Sequence, residues 1–191
     1  AIAGDPVIIN NGTVTGFVQF TGGNNSFTNN GGFDLRHFAD TTGDGVRDTL
    51  RVGVADMGTG AGNTFTNNGT LALAPVSGAT TLDSAGQYLP FANPLHAMTV
   101  AGPVQGQLIG LTSFTNTGTI DLQGNPAAGD VMVITSARTA GSVGTSTFIS
   151  NGGTLKVDAV LNEGGAASRS DGLVVEGAQV DGGGAANPAR W

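Results

Sequence analysis

Phe27-Thr28-Asn29-Asn30-Gly31-Gly32-Phe33-Asp34-Leu35 is the stretch that decides the fold. Its phrase returns as Phe65-Thr66-Asn67-Asn68-Gly69 before Leu71-Ala72-Leu73, and as Phe114-Thr115-Asn116-Thr117-Gly118 before Ile120-Asp121-Leu122. A fourth copy is Phe148-Ile149-Ser150-Asn151-Gly152 before Leu155-Lys156-Val157, and a fainter one is Ile8-Ile9-Asn10-Asn11-Gly12-Thr13-Val14. Counted from the leading Phe, positions +6 and +8 are apolar, while +7 is Asp34, Ala72 or Asp121. In the fourth copy the extra Gly153 shifts the apolar pair to Leu155 and Val157. This alternation of period two is that of a strand with one buried side. The glycine at +4, constant in the four strong copies, permits positive φ between two strands. The Asn before it tolerates the left-handed region and can bond neighbouring backbone.

A strand–turn–strand phrase recurring at long intervals marks a stacked repeat, which works as an extended surface more often than as a pocket. The leading Phe residues are 38, 49 and 34 residues apart. Other strand-like runs lie between or after the phrases: Leu50–Ala55, Ala97–Val100, Gln107–Leu111, Val131–Thr135 and Leu173–Glu176. One such run per interval predicts coils of roughly 17–25 residues, within the solenoid range. Stacked coils would align like residues ~4.8 Å apart, with Phe inside and Asn ladders at a corner. Two segments interrupt the pattern and read as loop insertions, 36–49 and 79–97, and the Gly-rich 181–191 reads as a C-terminal tail after a 1–180 solenoid.

Composition agrees. Glycine supplies 33 of 191 residues, against a usual ~7%. Charged residues make up 11%, and Val, Ile, Thr, Phe and Asn-Gly pairs favour strands and tight turns over helices. The net charge of −7, with Lys156 the single lysine, excludes a basic stripe for nucleic acid and disfavours anionic membrane surfaces. No apolar run is long enough for a membrane helix, so no direct membrane insertion is expected. The absence of cysteine suits a chain threaded through a narrow pore, since no disulfide can lock it first. The chain begins Ala1-Ile2-Ala3-Gly4, which reads as a mature or excised segment.

The phrases from Ser113 to Leu122, Ala128-Gly129-Asp130-Val131-Met132-Val133-Ile134, Phe148 to Leu155, Val160-Leu161-Asn162-Glu163-Gly164-Gly165 and Ser170-Asp171-Gly172-Leu173-Val174-Val175 together resemble the passenger domain of Gram-negative autotransporters (type V secretion). The resemblance covers nearly the whole chain. It implies a right-handed parallel β-helix, secreted through the periplasm and outer membrane and held at the cell surface by a downstream outer-membrane β-barrel that this chain lacks. It also implies a stalk or adhesion role, with virulence as its setting. The autochaperone-like coils that usually follow the Leu173-Val174-Val175 strand are missing, so the chain reads as a truncated passenger segment whose last coil has an open edge prone to association.

Chemistry is sparse. Asp40, Thr42, Asp44, Val46 and Asp48 fall at the oxygen-ligand spacing of a calcium loop, with Gly45 at its turn. Arg51 stands where the bidentate Glu belongs, so the competing reading is an acidic loop answered by Arg36, Arg47 and Arg51. No resident cofactor is expected beyond that calcium. No catalytic residue is assigned: there is no Gly-x-Ser-x-Gly elbow, and His37 and His96 sit in predicted loops. Asp34 and Asp121 occupy equivalent outward positions, and two intervening coils would part them too widely for a glycosidase pair. Tyr88, Pro90, Phe91 and Pro94 gather in one insertion as a contact patch for a host or neighbouring-cell ligand, or as a cover for the helix flank. The Asn-Gly-Thr triplets at Asn11 and Asn68 read as corner asparagines rather than glycosylation sites. The sequence thus predicts an all-β, right-handed parallel β-helix acting as a non-enzymatic surface stalk or adhesin. The alternatives are a β-helix polysaccharide-processing enzyme and a phage- or surface-layer-type β-solenoid.

Overall fold

The structure is a computed structural model, and it describes residues 4–39, 49–73, 103–123, 129–139, 142–160 and 170–181. Side chains are described for these residues except 38, 39, 49, 50 and 178–181. The described chain is an all-β, parallel β-helix whose coils each lay one strand on each of three faces. The first coil is β1 (Val7–Asn10), β2 (Thr13–Gly16) and β3 (Val18–Gln19). The second holds β4 (Ser26–Asn29), β5 (Gly32–Leu35), a ribbon of β6 (His37–Ala39) and β7 (Thr49–Arg51), then β8 (Gly53–Asp56). The third is β9 (Thr64–Asn67), β10 (Thr70–Ala72) and β11 (Gln105–Ile109). The fourth is β12 (Ser113–Asn116), β13 (Thr119–Asp121) and β14 (Val131–Thr135). The fifth is β15 (Ser146–Ser150), β16 (Thr154–Lys156) and the first half of β17 (Gly172–Asp181).

The first face runs β1-β4-β9-β12-β15 and the second β2-β5-β10-β13-β16, each strand parallel to the next. The third face runs β3-β8-β11-β14, again parallel. The ten-residue strand β17 turns the corner: 172–176 pair with β14 and 177–181 pair with β15, so it fuses the first and third faces. Gly177 makes that bend at φ +145, where a Cβ would also strike the backbone of Ser146.

Register follows the repeated phrase. Ile8, Phe27, Phe65, Phe114 and Phe148 are directly stacked, and the four Phe side chains are buried as the sequence predicts. Adjacent rings lie 4.9, 5.3 and 5.4 Å apart in offset stacks, which add to the stabilisation from burial alone. On the second face Val14, Phe33, Leu71 and Ile120 continue into Leu155. Leu155, expected inside, is 43% exposed, because β16 is the edge strand of its sheet.

Three expectations are corrected. Each interval between phrases holds one coil, not two: the intermediate runs are the third strand of the same coil, and the excess length leaves as insertions. The shortest coil, from Asn10 to Asn29, takes 19 residues. The run Leu50–Ala55 is split, its start in the antiparallel β6–β7 ribbon and its end in β8, so segment 36–49 is not simply a loop. The repeat glycine also has a different duty. Gly31, Gly69 and Gly118 do not have positive φ; a Cβ on each would collide with the carbonyl of the glycine one coil below, Gly12, Gly31 and Gly69 in turn. The turns stack too closely for any side chain. In the fourth copy the extra residue separates two duties, since Gly152 takes φ +76 while a Cβ on Gly153 would collide with Asn116 one coil below.

The two asparagines of the phrase part ways. Asn10, Asn29, Asn67 and Asn116 form a buried ladder, the Nδ2 of each of the first three donating at 2.8 Å to the Oδ1 of the next coil. The same amide donates at 2.9–3.0 Å to the carbonyl opening the neighbouring coil's second strand, Gly32, Thr70 or Thr119. One residue on, Asn11, Asn30, Asn68 and Thr117 form an exposed ladder. The Asn-Gly-Thr asparagines Asn11 and Asn68 are thus corner residues, as expected.

Candidate functional site

The outer side of the first face carries two columns of hydroxyls, with Ser26, Thr64, Ser113 and Thr147 in one and Thr28, Thr66 and Thr115 in the other. They are half-buried in the alternation of a strand with its apolar side inward. The outer side of the second face aligns Asp34, Ala72, Asp121 and Lys156. Lys156 Nζ meets Asp121 at 3.2 Å and Arg36 meets Asp34 at 3.9 Å. Asp34 and Asp121 are parted by one coil, that of Ala72, and not by two. Both are already engaged with a cation, which leaves neither arranged as half of a glycosidase pair.

The corner between the second and third faces is where the coils differ most. The first coil crosses it with Phe17 alone, which is half exposed and set 4.5 Å from the His37 ring. The later coils cross it through 36–52, 73–104, 122–130 and 157–171. The base of the first of these is the β6–β7 ribbon, so His37 lies in a strand and not in the predicted loop.

The base of the last is stapled by carboxylates. Asp158 N donates to Asp171 Oδ2 at 2.6 Å, and Asp171 N returns a bond to the Asp158 carbonyl at 2.9 Å. Asp171 Oδ1 accepts from Gly129 N and Asp130 N at 2.7 and 2.9 Å, which ties the 122–130 connection to the 157–171 connection. Beneath them lies Asp130, fully buried. Its Oδ1 accepts from Val104 N at 2.7 Å, fixing the end of 73–104 to the same point, while its Oδ2 has no hydrogen-bond partner. Burial pushes the Asp130 carboxyl up to about 6; the Val104 N–H opposes this, and the nearby Asp171 and Asp158 charges add to it. Three crossings therefore meet at Asp130, one held by its carboxyl and one by its N–H.

A second tie sits where the third face meets the first. Arg138 forks onto Asp56, Nε to Oδ1 at 3.0 Å and Nη2 to Oδ2 at 2.6 Å, from two coils away. Its stem lies over Gly110, whose φ of +66 and lack of a Cβ leave room for it. Gly58 N also donates to Asp56 Oδ1 at 2.9 Å.

Asp40, Thr42, Asp44, Val46 and Asp48 lie outside the described residues, as do Tyr88, Pro90, Phe91, Pro94, His96 and the run Ala97–Val100. Among the described residues, no group of three or more His, Cys, Asp or Glu side chains is arranged to hold a metal ion. Neither the Asp130 cluster nor the Arg138–Asp56 tie is foreseen from the sequence. The available signal was an acidic residue at the start of a strand, Asp130 before Val131 and Asp171 before Gly172, in adjacent coils.

No protein-family model, curated protein or solved structure matches the chain.

Proposed function

We propose that this chain is a non-enzymatic structural segment, a stalk that also displays adhesive loops, of the autotransporter-passenger type and exposed at a bacterial surface. The observation that carries this reading is that the longest connections between strands, 36–52 and 73–104, fall between the second and third faces while the strand register on either side of them does not change. A scaffold of stacked coils tolerates such insertions because each coil contacts only its neighbours. The insertions can therefore vary with a ligand without altering the shaft. The partner in this reading is a surface ligand of a host or neighbouring cell, met by the segments around Tyr88–Pro94 and Asp40–Asp48. The shaft would be held at the cell by a downstream outer-membrane barrel.

The test is attachment of protein-coated beads to cultured host cells and to bacteria. Replacing 79–97, or 40–48, by a short Gly-Ser linker should leave the β-sheet circular dichroism intact and lower attachment. Attachment equal to wild type in both replacements would remove the display role. Release of new reducing ends from acidic polysaccharides by the intact chain would overturn the non-enzymatic reading.

A further inference from the structure

We propose that Asp130 is a proton-operated latch, which holds the second-to-third-face corner closed when neutral and loosens it when ionised. The proposal concerns how that corner is held and does not require the adhesive reading to be correct.

Four observations place the latch. Asp130 is fully buried and its Oδ2 lacks a partner, an arrangement costly for a carboxylate and far less so for a neutral carboxyl. The charged side chains that face it among the described residues are Asp171 and Asp158, both carboxylates, so ionisation adds repulsion as well as desolvation. Lys156, two residues before Asp158, is occupied by Asp121. Finally, Asp130 is a junction: its Oδ1 holds Val104, its N–H is held by Asp171, and its carbonyl accepts from Gly172 N at 2.8 Å. The carboxyl itself holds Val104, and the main chain of the same residue holds the 157–171 crossing, so moving the side chain releases the first and shifts the backbone that Asp171 and Gly172 grip.

The direction follows from the sign of the perturbation. The folded state holds the proton up to about 6, above the ordinary 3.8. The closed corner is therefore favoured most below pH 3.8, weakens as pH rises towards about 6, and stays weak above it. The two values together correspond to a roughly hundredfold preference of the closed form for the proton.

The experiment is amide hydrogen exchange on the whole chain between pH 4.5 and 8, with each rate divided by its intrinsic value. Protection at Val104, Gly129, Asp130, Asp158 and Gly172 should fall roughly thirtyfold as pH rises from 4.5 to a little above 6 and then level off, while Thr66 and Thr115 stay unchanged. Asp130→Asn, which stays neutral and keeps an acceptor for Val104, should hold the corner protected at both ends of the range. Asp158→Asn, which removes one facing charge from a half-exposed position, should move the midpoint to slightly lower pH and keep the wild-type pattern. Protection at the corner that ignores pH in the wild type, or that falls equally in Asp130→Asn, would overturn the latch. Restoration at pH 8 by millimolar calcium in the wild type but not in Asp130→Asn would also overturn it, since a cation rather than a proton would then neutralise Asp130.

Discussion

Replacing Asn67 by Ala tests how the coils are held in register. Asn67 accepts from Asn29 Nδ2 at 2.8 Å and donates to Asn116 Oδ1 at 2.8 Å and to the Thr119 carbonyl at 2.9 Å. Three buried hydrogen bonds at ~1 kcal/mol net each give a loss of about 3 kcal/mol. Asn29 Nδ2 keeps the Thr70 carbonyl at 3.0 Å, so the orphaned groups are chiefly the two acceptors in the coil above. For a domain of this size the midpoint of thermal unfolding should fall by roughly 6–12 °C. The control is Asn68→Ala, one residue away. Asn68 bonds Asn30 and Thr117 in the exposed ladder, where substitutions usually stay within about 0.5 kcal/mol. Differential scanning calorimetry of the two variants decides the matter. Equal shifts in both would refute the argument that burial, and not the Asn-Asn pair as such, makes the ladder stabilising. Asn67→Asp sharpens the test: it loses both donors and sets a carboxylate against two acceptors. Its damage should exceed that of Ala at neutral pH and shrink in acid, where the carboxyl is neutral.

Gly69→Ala should cost at least about 3 kcal/mol by urea unfolding, since its Cβ meets the backbone of the coil below; Gly12→Ala, with open space around it, should cost under about 1 kcal/mol. Phe65→Ala should cost about 3–5 kcal/mol, because Phe65 is fully buried and stacks on both Phe27 and Phe114. Arg138→Ala should cost about 2–3 kcal/mol by leaving the nearly buried Asp56 carboxylate without its cation, less than for a wholly buried pair because a third of the Arg138 side chain is exposed. Arg138→Lys should recover only part of this, as it lacks the fork. Calorimetric stability of the wild type should fall by about 2 kcal/mol from pH 4 to pH 7 through Asp130, a loss that Asp130→Asn should abolish; an unchanged pH profile in that variant would assign the titration elsewhere.

Much of the architecture could be read before any coordinates. The Phe column, the apolar pairs at Phe33 and Leu35 or Ile120 and Leu122, and the outward Asp34 and Asp121 all follow from a period of two repeated in identical phrases. A strand has two sides, and like phrases stack like on like, so local pattern and global register carry the same information. What the sequence left open were choices between equivalent local readings. Asn29 and Asn30 are the same residue in the same turn, yet one is buried and the other exposed. Gly31 was legible as necessary, but its reason is the carbonyl of Gly12 in the coil below, not its own φ. The number of coils per interval depended on whether Val131–Thr135 starts a coil or finishes one. Asp130, Asp158 and Asp171 acquire meaning only where separate crossings converge. Each of these was fixed by contacts between residues 13 to 52 positions apart, made when stacking brings coils to the ~4.8 Å spacing of paired strands. Periodicity along one strand determines which side faces inward, whereas the neighbour above and below exists only once the chain has wound.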